Sequence, residues 1–129
     1  QCILYNNQNE YTTALIYPDS AAIKGFVADY RGSAEQLPEE LLKTIRSQIE
    51  QFGKGGKFEK MFPHRWLPAS FAVISEGFTE ENRLMNSVLK IVRPKVIEKY
   101  RERLEKMYTP KGKAFINDDN INVIRTFIK

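Results

Sequence analysis

The chain has 129 residues, 42% apolar and 28% charged, with a formal net charge of +4. That length suits one domain with a real hydrophobic core, and the composition is that of a globular protein, not a disordered or fibrous one. Its single cysteine, Cys2, excludes an internal disulfide, no apolar run is long enough to span a bilayer, and the mild basicity permits an anionic ligand without requiring one.

In chain order, "CILY" and "YTTALIYP" are β-branched or aromatic and predict two strands, over residues 2–6 and 11–17, with Asn6 to Glu10 as the turn between them. "PDSAAIKGFVADYRG" predicts a helix over 19–30, capped by Asp19 or Ser20 and stopped near Gly32. "LPEELLKTIRSQIEQFGKGG" predicts a second, over 38–52. Pro38 suits its first turn, Glu39 and Glu40 suit its positive end, and Gly53, Gly55 and Gly56 follow its close. "KFEKMFPHRWLP" is irregular and aromatic. "ASFAVIS" reads as a third strand, 69–75. "PKVIEKYRERLEKMY" reads as one helix over 94–107, buried through Val96, Ile97, Tyr100, Leu104 and Met107. The tail after Tyr108 is polar, then apolar, and either docks or frays. Strands and helices without strict alternation point to an α+β domain, a small mixed sheet flanked by helices. The chain begins at Gln1 inside an apparent strand and carries no signal-peptide pattern, so it reads as a piece of a larger, cytoplasmic protein.

Most motif-like features have plain readings. "GKGGK", residues 53–57, lacks the spacing and the Lys-Ser/Thr pair of a phosphate loop and follows a helix, so it reads as a flexible turn. His64 has no neighbouring His or Cys to share a metal, and no metal site is expected. Cys2 lacks the local pattern of a catalytic thiol. The cations from Arg93 to Lys106 alternate with Glu98, Glu102 and Glu105, which describes a solvated helix face and not a one-sign phosphate track. Lys90 is different. It stands in an apolar run, "LMNSVLKIV", just before a helix opened by Arg93 and Pro94. On residue types alone two readings stay open: a lysine snorkelling over the core, or a cation held at the rim of the domain for a negatively charged transition state.

The segment "PASFAVISEGFTEENRLMNSVLKIVRPKVIEKYRERLEKMY", Pro68 to Tyr108, resembles the C-terminal domain of AMP-forming acyl-CoA synthetases of the long-chain fatty acid–CoA ligase type. "FTEEN", "LKIVRP" and the helix after them follow that family's order, and "QCILYNNQNEYTTALIYPD" is similar to its earlier strand pair. Two positions depart from the pattern: Arg83 stands where the family often has Gly, and Asn86 where it often has Thr.

The resemblance implies a lid, residues 1–108, followed by a tail, 109–129. It implies a parent enzyme that joins a fatty acid to coenzyme A in two steps, through an acyl-adenylate, using ATP with Mg2+. Lys90 matches the lysine that serves adenylation. Lys54, Lys57, Lys60 and Arg65 are candidates for the phosphates of coenzyme A. The partner would be the parent's own N-terminal domain, which carries the nucleotide loop, the Mg-associated Glu, the ribose-binding Asp and the hinge; without it the chain is expected to be inactive. Nucleic acid is not an expected partner, and a peripheral association of the parent with membrane is left open. A competing expectation is a basic module that binds RNA or an acidic protein without catalysis; a third is an oligomerising domain that exposes Phe58, Phe62 and Trp66.

Overall fold

The computed structural model describes residues 1–128. Strands β1 (Cys2–Tyr5) and β2 (Thr12–Ile16) form an antiparallel hairpin, with Cys2 opposite Ile16 and Tyr5 opposite Thr13. At its tip Asn7 and Gln8 take φ of 47° and 64°, the left-handed region that asparagine tolerates best among residues with a side chain. Strand β3 (Pro68–Val73) returns beside β2 in parallel, so the sheet is mixed and ordered β1-β2-β3.

Helices α1 (Ser20–Asp29) and α2 (Leu37–Glu50) make the crossover between β2 and β3. Asp19 caps α1, its carboxylate accepting from the Ala21 N–H at 2.9 Å. The helix ends before the expected Gly32 because Tyr30 turns extended and stacks on Phe26, ring centroids 6.0 Å apart. Helix α2 likewise ends short of residue 52. Its following turn needs glycine: Gly55 has φ of 80°, and a Cβ on Gly56 would come within 2.4 Å of the Gln51 carbonyl.

Successive side chains of a strand face opposite ways. Leu15, Ala72 and Ile74 therefore join one core, with Val96 and Leu104 from the helices α3 (Arg93–Lys99) and α4 (Arg101–Lys106) and Met107 just after α4. Ala14, Phe71 and Val73 join the other, with Leu41, Leu42 and Ile124. Strands β2 and β3 are covered on both faces, which is why "TTALI" and "SFAV" are buried almost continuously and not in alternation, small polar Thr12, Thr13 and Ser70 included.

Two expectations about the C-terminal third need correction or completion. The single helix expected over 94–107 is two helices, interrupted at Tyr100, whose φ of −106° and ψ of 19° leave the helical region. The Tyr100 N–H still donates to the Val96 carbonyl at 3.0 Å, and the half-buried ring packs against the core, so the break is a kink. The tail docks: α5 (Pro110–Lys113) and α6 (Asp118–Ile128) lie against β3, and α6 packs on α1 and α2. Lys129, the end of that expected tail, lies outside the described residues.

Asn120 does the joining. It is fully buried. Its Oδ1 accepts from the Val73 N–H at 2.9 Å and from Arg103 at 2.9 Å, and its Nδ2 donates to the carbonyls of Phe71 at 3.0 Å and Phe115 at 2.7 Å. One side-chain amide thus pairs with the outer edge of β3 as a neighbouring strand would. Among the described residues no helix is long and apolar enough to cross a membrane.

Candidate functional site

The segment from Phe78 to Val92 is a chain of side-chain-templated turns. In "FTEEN", Thr79 and Asn82 hold each other: the Asn82 N–H donates to Thr79 Oγ1 at 3.1 Å, and the Thr79 N–H to Asn82 Oδ1 at 3.0 Å. Asn82 Oδ1 also accepts from the Leu84 N–H at 3.1 Å, and its Nδ2 donates to the Gly77 carbonyl at 2.7 Å and to Glu76 at 2.9 Å. The motif's polar residues are there to shape the backbone. Arg83 follows with φ of 66°. The position that departs from the family's frequent glycine is one where the backbone favours glycine.

The Lys90 loop is built the same way. Met85 and Ile91 form an isolated antiparallel bridge, and the Val92 N–H donates to the Leu84 carbonyl at 2.8 Å, closing the base. Asn86 fills the tip. Its Oδ1 accepts from the N–H groups of Val88 at 3.1 Å and Lys90 at 3.0 Å, while its own N–H donates to the Lys90 carbonyl at 2.9 Å. Leu89 completes the turn with φ of 60°. The loop is therefore held by bonds at both of Lys90's backbone groups.

Buried Leu84 and half-buried Met85 anchor this tip, but the other apolar neighbours do not. Lys90 does not project alone: Val88 is 67% exposed, Leu89 69% and Ile91 37%. A tight hairpin tip has no body of protein beneath it, so hydrophobic residues placed there meet solvent or a partner. Lys90 is exposed, and its ammonium makes no hydrogen bond or ion pair among the described residues.

The helix cations nearby are more engaged. Lys99 pairs with Glu76 at 2.7 Å, and that hydrogen bond holds the Glu76 carboxyl below its usual range. Lys106 pairs with Asp119 at 2.8 Å, with the same effect on Asp119. Arg103 reaches Asn120 in a partly buried position, where burial lowers its pKa. These pairs tie α3 and α4 to the rest of the domain and leave a mixed-sign surface.

Lys54, Lys57, Lys60 and Arg65 are all exposed, on the turns that connect α2 to β3. This connection sits at the Thr12 end of β2, where Thr12 Oγ1 donates to the Arg65 carbonyl at 3.3 Å. The Lys90 segment is fastened at the other end. There Gln1 exchanges backbone bonds with Tyr17, and its side chain bonds both backbone groups of Phe78 at 2.7 and 3.1 Å. The four cations and Lys90 are thus not brought together. His64 is exposed in a short 3-10 turn, and among the described residues no group of three His, Cys, Asp or Glu side chains could hold a metal.

A three-stranded mixed sheet covered by helices on both faces, with a braced lysine loop beyond β3, is similar to the C-terminal portion of adenylate-forming ligases. Comparison with known proteins supports that class. The chain is 29% identical over 105 residues to Long chain acyl-CoA synthetase 8 of Arabidopsis thaliana, covering 78% of this chain and 14% of that protein. It is similar in structure to the adenylation domain of a carboxylate reductase from Mycobacterium chelonae, with TM-score 0.66 and 28% identity over 84% of this chain and 15% of that one. It is also similar to the A-PCP didomain of a carboxylic acid reductase from Segniliparus rugosus, solved in complex with AMP, with TM-score 0.57 and 25% identity over 84% of this chain and 14% of that one. No family model matches. The chain spans about 14–15% of the length of these relatives.

Proposed function

We propose that the chain is the lid of an AMP-forming long-chain fatty acid–CoA ligase, residues 1–108 forming the lid proper and the following residues a tail docked on it. The observation that carries this reading is the unpartnered Lys90 ammonium on a loop whose backbone is braced by Asn86. The Arabidopsis relative's name favours acyl-CoA formation over the reductase chemistry named for the two similar structures.

In the first half-reaction a fatty acid carboxylate oxygen attacks the α-phosphorus of ATP. The bond from that phosphorus to the bridging oxygen breaks, and pyrophosphate leaves with the electron pair. Negative charge gathers on the carboxylate and phosphate oxygens. A compact ammonium with three donors can touch both, and such stabilisation is worth about 3–4 kcal/mol. The exposed Val88 and Leu89 give the loop tip an apolar seat against the parent's larger domain, so Lys90 is presented as a unit. In the second half-reaction the thiolate of coenzyme A attacks the acyl carbon, the bond to the AMP phosphate oxygen breaks, and AMP leaves. Lys54, Lys57, Lys60 and Arg65 are the candidates for the phosphates of coenzyme A. Among the described residues no group of three His, Cys, Asp or Glu side chains could hold Mg2+, so an ion accompanying ATP is assigned to the phosphates and to the parent's N-terminal domain.

The test separates the half-reactions in the parent enzyme. Lys90→Ala should slow adenylation by about a hundredfold or more, yet leave thioester formation from supplied acyl-adenylate nearly unchanged. Equal loss in both would indicate a docking defect, and no loss in either would leave Lys90 an ordinary surface residue. The isolated chain should show no ATP–pyrophosphate exchange with any fatty acid. Charge reversal at the four loop cations should raise the KM for coenzyme A.

A further inference from the structure

We propose that the α2–β3 connection, residues 53–66, is a membrane-docking surface that seats the domain on anionic phospholipid. This stands whether or not Lys90 acts in adenylation.

Three large apolar side chains cluster here in solvent: Met61 is 58% exposed, Phe62 42% and Trp66 52%. The two aromatic rings are held in place. Phe62 packs on Phe52 with ring centroids 5.8 Å apart and on Trp66 at 6.5 Å, while Phe52 stacks on half-buried Phe58 at 5.2 Å. Behind the outer rings lies an apolar hollow of about 370 Å³, walled by Leu4, Ile49, Phe52 and Leu67. Strand β1 contributes Leu4, itself 43% exposed, because neither α2 nor the connection closes over this side of the sheet.

Charge decides the occupant. Within residues 53–66 stand Lys54, Lys57, Lys60 and Arg65 against one carboxylate, Glu59, and all four cations are exposed. Exposed apolar side chains on a segment with this excess of exposed cations, Lys57 lying 5.3 Å from the Phe58 ring centroid, match the layering of a bilayer surface, where acyl chains lie just beneath anionic headgroups. Trp is suited to that boundary, its ring apolar and its N–H able to reach a wet partner. The phosphates of coenzyme A would use the cations but leave the three apolar side chains in water. A protein partner would have to bring its own negative rim around an apolar centre.

Trp66 is the chain's single tryptophan, so its fluorescence reports this surface alone. The chain is titrated with vesicles of phosphatidylcholine and of phosphatidylcholine with phosphatidylserine, reading pelleting and Trp66 emission. Anionic vesicles should pellet the chain, shift Trp66 emission to the blue, and quench it when the acyl chains carry bromine; neutral vesicles should do so weakly. Lys57→Glu with Lys60→Glu should weaken partition by about 25-fold or more, at roughly fivefold for each cation lost. Met61→Ser with Phe62→Ser, at exposed positions and with an unchanged circular dichroism spectrum, should lose most of the binding to the same vesicles. No pelleting, pelleting without a change at Trp66, or full binding by the Met61/Phe62 variant would each overturn the proposal. So would a dimer in sedimentation that the Met61/Phe62 variant loses, with no affinity for vesicles. Unchanged vesicle binding by Lys57→Glu with Lys60→Glu would equally overturn it, whatever that variant does to the KM for coenzyme A in the parent.

Discussion

Replacing Asn120 by alanine tests how the tail is joined to the sheet. The side-chain amide has four partners: the Val73 N–H, the Phe71 and Phe115 carbonyls, and Arg103. Alanine orphans three backbone groups, two of them on the edge of β3 in a region with no solvent access at Phe71 or Val73. A buried group without a partner costs about 1–3 kcal/mol, and Arg103 can turn to water. If a water enters the vacated space and restores part of this, the net loss is about 3 kcal/mol. A domain of this size holds about 5–15 kcal/mol in all. With a urea slope of about 2 kcal/mol per molar, the unfolding midpoint should fall by about 1.5 M. Urea titration followed by circular dichroism measures it. Asn122→Ala is the control, the same replacement at an exposed site of the same helix, and should change stability by no more than about 0.5 kcal/mol. Asn120→Asp keeps the acceptor for Val73 and Arg103 but loses both donors, so it should also destabilise. If Asn120→Ala proves as mild as Asn122→Ala, the amide is not what holds the tail to the edge of β3.

Arg83→Gly should stabilise the domain by about 0.5–1 kcal/mol in the same titration, because relief of the left-handed backbone exceeds the added freedom of the unfolded chain. A loss of stability would mean that the Arg83 side chain makes a contribution its exposure conceals. Asp119 has its pKa lowered in the folded state by its hydrogen bond with Lys106, so the folded chain binds its proton less readily than the unfolded one. Its contribution is present above the ordinary aspartate pKa of about 3.9 and is lost as pH falls through the lower folded value. Asp119→Asn should therefore be less stable than the parent chain near neutral pH, by about 0.5 kcal/mol for so exposed a pair, with the difference closing in acid. Denaturation curves across pH check the sign; a gap that widens in acid would refute it.

The elements themselves follow from local chemistry. β-branched and aromatic runs specify β1, β2 and β3, and the apolar stripe with Pro38, Glu39 and Glu40 specifies α2, because these preferences act within a few residues of the chain. Lys90 could be placed on a loop for the same reason: Pro94 opens a helix after it, and Asn86 can bond backbone groups two and four residues ahead. The resemblance proposes a role for it, and the tertiary structure shows how its backbone is braced. Other features depend on residues far apart in sequence. Asn120 looks like any surface asparagine until β3, 47 residues earlier, lays its open edge beside it. Val88 and Leu89 read as core by type and are exposed by position, since a two-bond hairpin tip extends past the packed layers. Tyr100 fits an unbroken helix by propensity, yet its ring is drawn into the core and kinks the backbone there. That Lys54, Lys57, Lys60 and Arg65 lie away from Lys90, and beside Met61, Phe62 and Trp66, is a consequence of which end of β2 each connection meets. Local sequence decides what an element is; only the packing of distant elements decides which side chains are left facing outward together.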